Sequence, residues 1–269
     1  MEIRTLEHTP LKDIYECFTD AFANYVIALQ FDEEMTMERW RLADVDYRLS
    51  YGAFDGEHLV AFIIHIKTRD QLFNFGTGVI PTHRGQRLVE KMYQRILSEH
   101  PGTYSLEVIK QNTKALRIYQ HLGFEINRDL ISVQGELSIN TPLDKNFHYD
   151  IRTLIYSEEM KSIRLFTPSL ENSSEVLLRF SDQYELHELR LQEKLMAYAI
   201  YYPKTGSIKE MGAFSTIEEN LDQLFLQMKL KSENLRVMNI DGKATELISY
   251  FCDRDVNIFV TQYEMFKSI

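Results

Sequence analysis

Apolar residues recur along the chain in two rhythms, one near the helical period and one of strict alternation, and their succession predicts the elements. In residues 10–30, Leu11, Ile14, Tyr15, Phe18, Phe22 and Val26 fall on one side of a helical wheel, which predicts a helix with a single apolar face. A second, shorter helix is expected over 34–43. The stretch SYGAFDGEHLVAFIIHI, 50–66, places two apolar runs around Asp55-Gly56, a hairpin turn signal. LFNFGTGVI, 72–80, reads as a further strand, and a helix over 85–98 stops before Pro101-Gly102. YSLEVIK, 104–110, is a strand. Asn112 can cap a helix over 113–122, Gly123 ends it, and a strand follows near 124–133. Strands alternating with helices imply at least one parallel pair.

The pattern weakens over 135–160, which contains Asn-Thr-Pro and Asp-Lys-Asn. The expected division is therefore a first domain over 1–135, a linker over 136–160 and a second domain over 161–269. In the second half, strands are expected at 163–167, 174–180, 185–191, 195–202 and 208–214. A helix at 217–230, a strand at 235–240, a helix at 243–253 and a strand at 256–263 follow. This order resembles the first half and suggests duplication. A constant offset of 129 sets Leu106, Val108, Lys114 and Ala115 against Leu235, Val237, Lys243 and Ala244.

Composition narrows the partner classes. Apolar residues make up 44% of the 269, enough for well-packed cores, and the formal net charge is −10. A protein that neutralises nucleic-acid phosphates would usually be basic, so no nucleic-acid partner is expected. The two cysteines, Cys17 and Cys252, lie far apart and outside any CxxC, which argues against a disulfide framework or a metal cluster. The first residues carry no apolar signal-peptide core, and no run approaches a membrane span. A cytoplasmic protein without membrane contact is expected. The histidines show no paired ligand spacing, and no GxSxG pattern occurs. His65 is expected as a packed or edge histidine of a strand, and Asp32, Glu33 and Glu34 as a solvated run.

The chemistry lies in GTGVIPTHRGQRLVEKMYQRI, 76–96. Here a glycine-bearing strand passes through Pro81 into an Arg84-Gly85 turn and straight into an amphipathic helix. A helix start offers amides with no intrahelical acceptor and the positive end of the dipole, where an anion is stabilised. A second piece, LEVIKQNTKALRIYQHLGF, 106–124, follows one helix later. Together the two pieces resemble the GNAT superfamily of N-acetyltransferases. Its cofactor motif reads Gln/Arg-x-x-Gly-x-Gly/Ala after a strand ending Val-x-Pro. Its second motif reads Asn-x-x-Ala-x-x-x-Tyr-x-x-x-Gly-Phe, which Asn112, Ala115, Tyr119, Gly123 and Phe124 match. The resemblance covers roughly residues 1–133. It implies an α/β (α+β) fold, a GNAT-like mixed central sheet flanked by helices, followed by a second GNAT-like α/β domain.

What the resemblance implies can be set on individual residues. Acetyl-CoA, the cosubstrate, would lie where the 72–80 and 104–110 strands splay apart. Its pantetheine arm would pair with the backbone of Thr77, Gly78 and Val79, and its pyrophosphate would meet the turn of Arg84, Gly85, Gln86, Arg87, Leu88 and Val89. The Val79 amide would stabilise the oxyanion. Asn112 would contact the cofactor arm, cap its helix, or do both. Tyr119 would protonate the departing thiolate. Glu107 would deprotonate the amine, in a layout similar to the subgroup that acetylates the N-terminal amines of ribosomal proteins. Alternation puts Glu107 on the face opposite Leu106 and Val108. The acceptor would be an amine-bearing small molecule or peptide, attacking directly in a ternary complex. A non-catalytic acyl-CoA-binding regulatory module is the alternative.

Two positions depart from the motif. Arg87 stands where the family has glycine, though a helical φ is allowed for Arg, and Val89 stands where it has Gly or Ala, so its isopropyl group could crowd the cofactor or the strand beneath it. In the second half the offset of 129 sets Arg236, Asp241 and Ile248 against Glu107, Asn112 and Tyr119, and Glu218-Glu219 opens the helix. Those carboxylates would repel a pyrophosphate, so that half is expected to be a degenerate copy.

Overall fold

The computed structural model describes residues 1–23, 32–228 and 235–268. The first half runs β1 (Glu2–Thr5), α1 (Leu11–Phe22), α2 (Glu33–Leu42), β2 (Tyr51–Asp55), β3 (His58–Lys67), β4 (Leu72–Val79), α3 (Leu88–Glu99), β5 (Thr103–Ile109), α4 (Thr113–His121) and β6 (Glu125–Gly135). The second half runs β7 (Phe147–Thr153), α5 (Glu158–Ser162), α6 (Ser174–Leu177), β8 (Glu185–Leu191), β9 (Lys194–Tyr202), β10 (Ser207–Ala213), α7 (Ile217–Met228), β11 (Leu235–Asp241), α8 (Thr245–Cys252) and β12 (Asn257–Ser268). Local chemistry fixes several ends. The Asp32 side chain caps α2 by accepting the Met35 amide at 2.8 Å. Asn112 caps α4 through the Ala115 amide at 3.2 Å.

The chain forms two compact units, one of 1–127 with 263–269 and one of 128–262. In the first, the strands lie in the order β1-β2-β3-β4-β5, with the end of β12 beside β5. One face of this sheet packs Ile14, Cys17, Ala21 and Trp40 of α1 and the α2 region against Phe62 and Ile64. The other packs Met92, Tyr93 and Ile96 of α3 against Ala61, Ile63, Leu106 and Val108, together with Met265. In the second unit the order is β6-β11-β10-β9-β8-β7. There Leu221, Leu224 and Phe251 of α7 and α8 cover one face, while Met160, Ile163 and Leu177 cover the other with Tyr198 and Ile200.

The structure differs from the sequence reading in definite places. The expected linker, 136–160, contains β7 and the start of α5. The compact units divide after Asn127, and residues 263–269 belong to the first of them. Residues 174–179 are helical rather than extended, since Ser173 accepts the Val176 amide and starts α6, and Phe180 interrupts the run. Residues 163–167 form no strand of their own, only a bridge from Arg164 to Gly212. β1 was not anticipated. Val26 and residues 24–30 of the first expected helix, and 229–230 of the helix after β10, lie outside the described residues.

The duplication appears in the ladders. β4 carries one extra residue, Phe75, between the pairs Ile64–Gly76 and His65–Asn74. β10 carries one extra residue, Lys209, between Ile200–Glu210 and Tyr201–Ile208. Each strand then joins its parallel neighbour only as far as one matching pair, Asn74–Leu106 in β4–β5 and Ile208–Val237 in β10–β11.

Candidate active site

The end of the β4–β5 ladder is where the site begins. Past Asn74, β4 pairs with β3 alone among the described residues. The Ile80 amide donates to the Val60 carbonyl at 3.0 Å. Antiparallel ladders alternate, so Gly78 and Gly76 also turn their peptide groups to β3, while Thr77 and Val79 turn theirs to the side that β5 has left. This is the splayed strand pair expected from the sequence, with the Val79 amide facing into it.

The turn after β4 is built by backbone conformation. Gly85 has φ +78°, and a Cβ there would meet nothing within 4 Å, so the space beside it is clear. Arg87 has φ 55°, a left-handed conformation and not the helical one that arginine adopts freely. It precedes α3 without a side-chain capping bond. The first intrahelical bond runs from the Lys91 amide to the Arg87 carbonyl at 3.1 Å, so the amides of Leu88, Val89 and Glu90 have no intrahelical acceptor. Val89 is only 8% exposed and packs into the core under α3, so its isopropyl group points into the protein. Arg84 holds the turn from below. Its Nε donates to the Val79 carbonyl at 3.2 Å and its Nη2 to the Ala21 carbonyl at 2.9 Å, the last turn of α1. The side chain is thus engaged with backbone carbonyls on both sides of the turn.

The two titratable residues flank the splay. Leu106 and Val108 belong to the core under α3 and α4, which leaves half-buried Glu107 on the α1–α2 face. Tyr119, 7% exposed, lies on the opposite face, its ring edge-on to Tyr93 at 6.3 Å and to Phe124 at 5.8 Å. Asn112 spends its Oδ1 on the α4 cap.

Residues 11–124 match the sequence model of the acetyltransferase (GNAT) family. The chain carries a GNAT domain. The GNAT fold extends further than that match. A candidate acetyltransferase from Pyrococcus horikoshii is similar over 100% of this chain and 89% of its own, with TM-score 0.68 and 14% identity. A GCN5-related N-acetyltransferase from Sphaerobacter thermophilus covers 99% of this chain and 95% of its own, with TM-score 0.67 and 12% identity. A tandem GNAT protein from the clavulanic acid biosynthesis pathway covers 99% and 98%, with TM-score 0.63 and 8% identity. Identities this low speak for the fold alone. No curated protein matches the sequence.

The second GNAT-fold unit has the same strand ends in a different condition. The Phe214 amide donates to the Met196 carbonyl at 2.8 Å, as Ile80 does to Val60, so Met211 and Ala213 correspond to Thr77 and Val79. Their peptide groups are occupied by the chain itself. The Ala213 amide donates to the Ile163 carbonyl at 2.9 Å, and the Leu165 amide donates to the Met211 carbonyl at 3.2 Å. A Cβ on Gly212 would fall 2.6 Å from the Ile163 carbonyl oxygen, so glycine is what admits this segment. Arg164 at its centre donates from Nε to Oε1 of Glu210 at 2.8 Å, and Tyr198 and Tyr156 donate to the same carboxylate at 2.7 and 2.9 Å.

The helices after the splay match with an offset of 132. Asn112 and Ala244 both donate their amides to the carbonyl three residues earlier, and Phe124 to Tyr119 repeats as Val256 to Phe251. The counterparts of Asn112 and Tyr119 are therefore Ala244 and Phe251, and Met238 follows Val237 where Glu107 follows Leu106. The offset of 129, which named Arg236, Asp241 and Ile248, is corrected.

Proposed function

We propose that the first unit binds acetyl-CoA between β4 and β5 and transfers the acetyl group to a primary amine, on a small molecule or a peptide, within a ternary complex. The observation that carries this reading is the end of the β4–β5 ladder at Asn74, beyond which the Val79 amide faces the gap. Acetyl-CoA would supply the activated acyl carbon and a thiolate leaving group. The residues fit it: extended backbone at Thr77, Gly78 and Val79 for an amide-bearing arm, and the amides of Gly85, Gln86, Arg87, Leu88 and Val89 beside clear space for a pyrophosphate.

Glu107 takes the proton from the ammonium form of the acceptor, because only the free amine can attack. The Val79 amide holds the oxygen that becomes negative as the C–N bond forms. Tyr119, on the other face, gives a proton to the departing sulfur. The opposite placement of Glu107 and Tyr119 keeps the incoming amine apart from the leaving thiol. In the second unit Met238 and Phe251 stand in the corresponding places, and its strand end is filled by residues 163–165, which supports reading it as a copy without acyl-CoA chemistry. Cys17 and Cys252 are both free, in keeping with a cytoplasmic setting.

The test is thermal stabilisation by acetyl-CoA followed by turnover on polyamines, aminoglycosides, amino sugars and peptides. Stabilisation with turnover on one class is the expected result. Stabilisation without turnover across the panel would leave an acyl-CoA-binding module, and no stabilisation would sink both.

A further inference from the structure

The floor of the splay contains a polar group that the fold does not require. Asn74, the last β4 residue paired with β5, is 6% exposed. Its Nδ2 donates to the Tyr93 hydroxyl at 2.6 Å and to Thr77 Oγ1 at 2.8 Å, and its Oδ1 lies 3.1 Å from the Thr77 hydroxyl. Tyr93 is wholly buried in α3, burial pushes its phenol well above the ordinary range, and its ring meets Tyr119 edge-on. Polar groups buried this deeply are costly unless their geometry is kept.

The second unit supplies an internal control. It builds the same bulge, the same end of ladder and the same strand terminus with Ile208 in the place of Asn74 and Met211 in the place of Thr77, both fully buried. The architecture therefore forms without the polar group. What distinguishes the first unit is that, among the described residues, no segment pairs with its strand end, whereas the second is tied down by residues 163–165.

We propose that Asn74, Thr77 and Tyr93 are positioning residues for the acyl transfer put forward above, on which this inference rests. Their network does for the first unit what the internal segment does for the second. Asn74 ties the free end of β4 to α3 through Thr77, so that the Thr77 and Val79 peptide groups keep their direction with no neighbouring strand to hold them. Through Tyr93 the same network fixes the wall against which the Tyr119 ring rests. None of the three side chains is assigned a contact with the reacting atoms.

The experiment is steady-state kinetics on Thr77→Val, Thr77→Ser, Tyr93→Phe and the double variant Asn74→Ile/Thr77→Met, with acetyl-CoA and the best acceptor. Thr77→Val and the double variant are expected to lose about tenfold or more in kcat, with KM for acetyl-CoA within about threefold and melting temperature kept. Thr77→Ser, which retains the hydroxyl, is expected to stay within about twofold of the parent. Should Thr77→Val and the double variant both keep the parent kcat, or Ser fall as far as Val, the network has no positioning role. A parent protein that neither turns over nor is stabilised by acetyl-CoA defeats the acetyltransferase reading itself, and that outcome is visible before any variant is compared. The double variant copies residues already accommodated in the second unit, so it is the one to read if a single substitution unfolds the protein.

Discussion

The two strand ends, β4 at Val79 and β10 at Ala213, share a bulge, a register and a stopping point, yet among the described residues one is left open and the other is filled. In the second unit, Ile163 and Leu165 satisfy the peptide groups of Met211 and Ala213, and Arg164 brings a guanidinium to the fully buried Glu210. In the first unit the residues matching Glu210 and Tyr198 are Gly76 and Phe62, which offer no charge to trap. Backbone polar groups at the end of a splayed strand need a partner in any protein. The contrast teaches that a duplicated cleft can be closed by giving it a permanent internal occupant, with the strands left as they were.

The sharpest way to break this comparison is to disturb the internal occupant. Arg164→Ala should cost about 3–5 kcal/mol in chemical denaturation, since it strands a buried carboxylate. Replacing both partners, Arg164→Met with Glu210→Gln, should recover a large part of that loss. An unchanged midpoint in Arg164→Ala would show that the segment is not held by the ion pair.

Acid separates one matched pair of positions next. His65 of β3 is fully buried, its Nδ1 2.7 Å from the Leu49 carbonyl, and burial lowers its pKa from 6.5 to about 4, with His100 adding to the effect and the Leu49 bond opposing it. The unfolded chain takes up that proton first as pH falls. The stabilisation is therefore complete above about 6.5 and is lost between there and about 4, a change of about 3 kcal/mol. The matching residue in the second unit is Tyr201, which does not ionise in this window. His65→Gln should flatten the decline in stability between neutral pH and pH 4 relative to the parent, measured in parallel denaturation series; an identical slope would remove His65 as its source.

Tyr119→Phe copies the second unit's Phe251 and should lower turnover by about 10²-fold while acetyl-CoA affinity is retained. Unchanged turnover would take Tyr119 out of the acid role. The smallest effect concerns Arg87, whose left-handed φ of 55° is strained for any residue with a Cβ. Arg87→Gly should raise stability by up to about 1 kcal/mol and leave acetyl-CoA affinity within about threefold at physiological salt. A loss beyond about tenfold would assign the phosphate to the guanidinium and not to the backbone.

Much of the first unit was legible because its signals are local. Asp55-Gly56 marks the hairpin, Asn112 caps α4, and the period of α3 is clear. The two motif pieces located the splay because they bracket it in sequence. The remainder depends on long-range pairing. Nothing in Ser162-Ile163-Arg164-Leu165 announces that it will lie along β10, and the apolar run Val176-Leu177-Leu178 is too short to tell a helix from a strand. The offset of 129 failed because β11 carries its own irregularity between Val237 and Ile240 and because the loops differ in length. No spacing rule shows the Arg84 guanidinium turning back to the Val79 and Ala21 carbonyls. One signal was passed over: Asn74 is a polar residue inside LFNF, a strand otherwise built for burial, and it lies at the point where the ladder ends.

The last strand gives the molecule an order of assembly. Met265 is buried in the core beneath α3, Lys110 lies over the Tyr263 ring, and Asn127 donates to Glu264 at 2.9 Å, so the first unit takes its final pieces from the far end of the chain. During synthesis, the proposed acetyl-CoA site is translated early, but its unit cannot be completed until residues 263–268 have emerged. Removing residues 263–269 would take the last pieces from the first unit and none from the second.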